Sequence, residues 1–95
     1  MSADVNDLTV NYEEDGTLVV KELDKEILSK GAWTTIIFRY QDLNRTSGEY
    51  GPEKYTIRRY QKLKGNYMPK SKFNISSKAQ AQKIIEALGR WASED

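Results

Sequence analysis

The chain has 95 residues with no cysteine and no histidine, and its 31% of charged residues balance to a formal charge of only +1. That length holds one domain, and the missing residue types exclude disulfide scaffolds, thiol chemistry, the usual imidazole base and most zinc or haem ligation. A domain of this size buries about 60–65% of its unfolded surface, so a partner subunit would help it fold.

The near-neutral total conceals an asymmetry. Residues 1–28 carry eight carboxylates against Lys21 and Lys25, a net −6, whereas residues 29–84 carry twelve Lys or Arg against three carboxylates, a net +9. A basic body behind an acidic head suits a polyanionic partner, with the head partly screening the binding face. No apolar run approaches the ~20 residues of a membrane helix, and Met-Ser-Ala-Asp lacks the basic start and apolar core of a signal peptide. The expectation is a cytoplasmic protein with no membrane partner.

In chain order, residues 1–7 are polar and read as loose. Leu8-Thr-Val-Asn-Tyr12 alternates apolar and polar, and Asp15-Gly16 before Thr17-Leu-Val-Val20 predicts a short hairpin in an acidic extension over residues 1–19. Val20, Leu23, Ile27 and Leu28 fit helical spacing, but the same segment also reads as a strand, and periodicity alone leaves both open. Residues 32–41 are rich in β-branched and aromatic side chains and predict a strand long enough to cross a sheet. Residues 43–52 contain Ser47-Gly48 and Gly51-Pro52 and read as a loop to the next strand.

That next strand, Lys54-Tyr-Thr-Ile-Arg-Arg-Tyr-Gln-Lys62, carries most of the functional signal. Strand alternation puts Lys54, Thr56, Arg58, Tyr60 and Lys62 on one face, cations around a ring, a composition suited to phosphates with bases to stack on. The pairing that best separates apolar from charged side chains sets Gln41 opposite Lys54. It brings Phe38 against Ile57, and gathers Trp33, Thr35, Ile37 and Arg39 with the cationic face. Arg59, opposite Ile36, has no place in this scheme.

Residues 65–69 predict a second turn, and residues 71–76 a third strand with Lys70 and Lys72 on its polar side. Ser77-Lys-Ala-Gln80 is a capping box opening a helix to about Ala92. Ala81, Ile84, Ile85, Leu88 and Trp91 form its apolar stripe, suited to a core or to a dimer contact. Glu13-Glu14-Asp15 lacks the spaced oxygen ligands of a calcium loop, and Gly48 and Gly51 lack a strand–loop–helix setting for phosphate. No catalytic, metal or cofactor residue is expected, and the chain reads as a non-enzyme.

Leu43-Asn-Arg45, Pro52-Glu-Lys-Tyr-Thr-Ile-Arg58 and Tyr60, with Lys30-Gly31 and Trp33 before them and Lys72-Phe-Asn-Ile-Ser76 after, resemble the bacterial members of the positive cofactor four family of single-stranded DNA binders. The resemblance covers about residues 20–91. It implies an α+β fold, a curved four-stranded antiparallel sheet followed by one C-terminal helix, over a domain of residues 20–92 preceded by the acidic extension. It implies a homodimer, and it turns residues 20–28 towards strand. With the reading of the strands, it puts nucleic-acid contacts at Trp33, Arg39, Lys54, Arg58, Tyr60, Lys62, Lys70 and Lys72, and dimer contacts at Ile85, Leu88 and Trp91. The expected partner is single-stranded DNA, with RNA as the alternative and transcription, replication or repair as the setting. Transcription or replication proteins are further partners, and the location is cytoplasmic or nucleoid-associated. A module that binds an acidic protein through the same face is the competing reading.

Overall fold

The computed structural model describes residues 4–93. A short 3-10 turn, Val5–Asp7, leads into β1 (Tyr12–Glu14) and β2 (Thr17–Ser29). Next come β3 (Trp33–Asn44), the two-residue β4 (Glu49–Tyr50), β5 (Lys54–Leu63), β6 (Asn66–Ile75) and the helix α1 (Lys78–Ala92). The class is α+β, an antiparallel sheet followed by a C-terminal helix. The sheet has six strands rather than the expected four, in the order β1-β2-β3-β5-β6, with β4 paired to the end of β3. The four long strands form a simple meander, and β1 and β4 are extensions grown from tight turns at its rim.

Two of the turns follow directly from the local sequence. Asp15-Gly16 has φ of 52° and 80°, and Lys64-Gly65 has 52° and 82°, the paired left-handed conformations of a two-residue hairpin turn. The second turn therefore closes at Lys64-Gly65, earlier than Pro69 suggests. Pro69 lies inside β6, where the register shifts between Arg59 and Tyr60, a bulge that tolerates a residue with no amide hydrogen to give. The segment that periodicity left open is strand: β2 runs thirteen residues and pairs with β3 through two register shifts. The loop expected over residues 43–52 is itself partly paired, Leu43 with Tyr50 and Asn44 with Glu49.

The β3–β5 register is one residue away from the expected one. Tyr40, not Gln41, faces Lys54; Phe38 faces Thr56; Ile36 faces Arg58; and Trp33 faces Gln61. A one-residue slip exchanges every partner across the sheet. The face bearing Lys54, Thr56, Arg58 and Tyr60 is therefore shared with Ile36, Phe38 and Tyr40. Trp33, Thr35, Ile37 and Arg39 lie on the other face, with Tyr55, Ile57 and Arg59. Charge and core are not segregated onto opposite faces as expected; one face carries both.

That mixed face is possible because the N-terminal segment covers its apolar part. Val5, Leu8 and Val10 are buried in one cluster with Ile36, Phe38, Tyr60 and Tyr67. Residues 4–7 are thus not loose: the Asp4 carboxylate accepts a hydrogen bond from Asn6 N at 2.9 Å and caps the 3-10 turn, and Val5 is buried. The start of the chain, residues 1–3, lies outside the described residues. On the opposite face α1 stands over the sheet without burying any of its residues completely. Ser77 caps it as expected, its hydroxyl accepting from Gln80 N at 3.1 Å, while Gln80 Oε1 accepts from Ser76 N at 2.9 Å. The Cα radius of gyration is 15.2 Å, against about 13 Å for a compact domain of about 100 residues, and the shortest dimension is 17 Å. The chain is a thin slab with one well-covered face.

Candidate nucleic-acid interface

The register gathers a cationic strip around β5 and β6. Arg58 is paired directly with Lys72, and the groove beside them, about 250 Å³, is lined by Arg58, Pro69, Lys70, Ser71 and Lys72. Like charges placed opposite each other across an antiparallel pair destabilise it. Among the described residues no carboxylate lies within 4.0 Å of Arg58, Lys70 or Lys72 to offset this.

Arg58 is held from below. Its Nε donates to the Thr56 hydroxyl at 3.2 Å, and that hydroxyl donates to Asn74 Oδ1 at 2.7 Å. Thr56 is fully buried, so this chain of hydrogen bonds satisfies a polar group that would otherwise be costly to bury. It also leans the guanidinium along the strand. Burial raises the phenol pKa of both Tyr40 and Tyr60, and the nearby Arg58 charge pulls each of them back down.

The other expected contacts divide into three groups. Lys62 lies over the Tyr67 ring, 5.4 Å from its centroid, on the same face as Arg58 and exposed. Lys54 is on that face too but engaged: its Nζ donates to Asp42 Oδ2 at 2.9 Å, and this bond is the main reason its pKa is raised. Trp33 and Arg39 are on the opposite face, so the expectation that they flank Arg58 and Tyr60 fails with the register that produced it. Arg39 pairs with Glu53 at 3.7 Å. Trp33 receives the Arg59 guanidinium 4.5 Å from its ring centroid. That contact gives Arg59 the place that the expected register denied it: a cation stacked on an aromatic face at the open end of the sheet.

Tyr60 departs furthest from expectation. Its ring is on the cationic face, as strand alternation requires, yet only 5% of the residue is exposed. It lies within the buried cluster that contains Val5, Leu8 and Val10, not in the open as a stacking platform. Sequence reasoning missed this cover, although Val5, Leu8 and Val10 are the apolar residues of an otherwise polar stretch and their spacing was the available signal.

Comparison with protein-family models, with curated proteins and with solved structures finds no match. The resemblance to the positive cofactor four family therefore rests on its sequence motifs. On the helix face, Ile85, Leu88 and Trp91 are 59%, 56% and 61% exposed. A groove of about 610 Å³ opens between the helix and the sheet, lined among others by Leu28, Ile37, Tyr55, Ile57 and Ile75. Among the described residues no group of three or more His, Cys, Asp or Glu could hold a metal ion, and no described helix is long and apolar enough to cross a membrane.

Proposed function

We propose that this protein binds single-stranded DNA through the β5–β6 strip, without catalysis, as the resemblance to the positive cofactor four family implies. The observation that carries this reading is the unneutralised opposition of Arg58 and Lys72, flanked by Lys70. A fold that keeps two cations face to face with no carboxylate among the described residues within 4.0 Å incurs a stability cost that a bound phosphate would relieve. In this reading Lys62, Arg58, Lys72 and Lys70 track the phosphates, and Tyr60 is the ring on which a base stacks. Trp33 and Arg39, on the other face, are left out of the track, and Lys54 contributes only if it releases Asp42.

The same reading includes a homodimer. Ile85, Leu88 and Trp91 lie on α1 and are each more than half exposed, and Ile85 and Leu88 line an open groove together with apolar sheet residues. Exposed contiguous apolar surface of this kind marks an interaction site, and a second copy supplies an identical stripe. Two sheets joined through their helix faces would each keep one cationic strip, on the face turned away from the contact. RNA could use the same cations and ring, while transcription, replication or repair is the proposed setting and a cytoplasmic, nucleoid-associated location follows from it.

Fluorescence anisotropy with single-stranded DNA, duplex DNA and single-stranded RNA of one sequence tests the proposal. Tighter binding of single strands than of duplex is expected, with the ratio of DNA to RNA affinity deciding between those two. Weak binding indifferent to strand state would favour the reading as a module for acidic proteins, and tight binding of duplex only would overturn the proposal.

A further inference from the structure

The cationic face and its ring are not equally accessible. Arg58, Lys70 and Lys72 line an open groove, whereas Tyr60 and Tyr67 on the same face are almost wholly shut away. Among the described residues no α-helix covers the sheet on that side. What lies there is the N-terminal segment, whose Val5, Leu8 and Val10 share the buried cluster with both rings.

This segment is attached in an unusual way for part of a core. Residues 4–11 contribute no strand to the sheet. Their main chain is held instead by one lysine: Lys25 Nζ donates to Asn6 O at 2.9 Å and to Leu8 O at 2.7 Å. Around Glu22 the Thr9 hydroxyl donates to the carboxylate, and Asn11 Oδ1 accepts from Glu22 N at 2.6 Å. A stretch fixed by side chains rather than by a ladder opens more readily than the strands beneath it. It also carries Asp4 and Asp7 and no cation, so its charge competes with phosphates for the same face.

We propose that residues 4–10 are a displaceable cover over the stacking ring, latched by Lys25, which a single strand must lift before a base can reach Tyr60. The inference rests on the single-strand-binding reading above. The cover makes binding a two-part event, in which phosphates engage the open Arg58–Lys72 groove and a base then exchanges with the apolar residues of the cover. Duplex DNA offers no free base to drive that exchange, so the cover adds discrimination to a cationic strip that by itself has none. Apparent affinity is reduced by the fraction of molecules with the cover open. A latch variant should bind single strands about tenfold more tightly if the open form is about a tenth of the population.

Two variants test this. The chain has no cysteine, so Leu8→Cys places a single thiol on the buried inner side of the closed cover. Its reaction with a thiol reagent should be slow, and should speed up when a short oligothymidylate is added. A rate unchanged or slowed by bound oligonucleotide would overturn the inference. Lys25→Met removes the latch without removing length, and should raise oligothymidylate affinity by about tenfold with little change for duplex. Affinity equal to or below that of the parent protein would also overturn it. Either failure beside intact binding by the parent leaves the strand-binding reading standing. If the parent protein binds no single strand, both fall together.

Discussion

Arg58 and Lys72 face each other across β5 and β6 with no carboxylate among the described residues to separate their charges. A protein selected for stability alone would place an acid at one of these positions. Lys72→Glu should therefore raise stability by about 0.2–1 kcal/mol, seen as a higher denaturant midpoint with an unchanged slope. The same variant should bind single-stranded DNA much more weakly. A variant that loses stability and binding together would mean that the pair serves the fold and not a ligand.

On the opposite face Arg59 rests on Trp33, and the register separates this pair from the proposed phosphate track. Arg59→Ala should cost about 0.5–1 kcal/mol of stability and shift Trp33 emission. It should leave the salt dependence of DNA binding unchanged. A reduced salt dependence in Arg59→Ala would mean that the phosphates run along the Trp33 face instead.

Tyr60 offers a test by pH. Burial holds its phenol above the ordinary tyrosine value of 10.0, with Arg58 pulling it down and Glu22 pushing it up. The folded state thus favours the neutral phenol. Its contribution to stability is present below the unfolded value near 10 and is lost as pH rises through the higher folded value. Alkaline titration of tyrosinate absorbance should show a late phenol that disappears in Tyr60→Phe. That variant should also lose less stability above about pH 10 than the parent protein.

The helix stripe predicts the oligomeric state. A buried Leu or aromatic side chain contributes about 1.5–3 kcal/mol relative to an exposed one, and Leu88 and Trp91 are exposed in the single chain. Sedimentation should find a dimer, and Leu88→Asp should convert it to monomer. A monomeric parent protein at micromolar concentration would exclude the dimer.

Much of this fold is legible in the sequence. The long strands β3 and β5 follow from their β-branched and aromatic content. The capping box places the start of α1 at the correct residue, and Asp15-Gly16 marks its hairpin. The antiparallel pairing of β3 with β5 is legible but its register is not, for a physical reason. Sequence logic assumes that charges and apolar groups occupy opposite faces, and chooses the register that separates them. Here one face carries both Phe38 and Arg58, because a short and mostly polar N-terminal segment covers the apolar part and leaves the cationic edge open. Register shifts within β2 and at Arg59/Tyr60 add further steps that alternation cannot count. The candidate site residues on β5 are readable from the strand itself, whereas Arg39 joins them only through the register, and Trp33 through the register and the family resemblance.

Whether the opposed cations meet phosphate is read most sharply from the salt dependence of binding. Each phosphate neutralised on a single strand adds ~0.7 to the slope of log affinity against log salt concentration. The parent protein and the Arg58→Ala/Lys72→Ala double variant should be compared on one single-stranded oligonucleotide across a salt series. The slope should be about 1.4 shallower for the double variant, which leaves two phosphates unneutralised. Equal slopes would show that Arg58 and Lys72 do not meet phosphate, and would contradict binding through the β5–β6 strip.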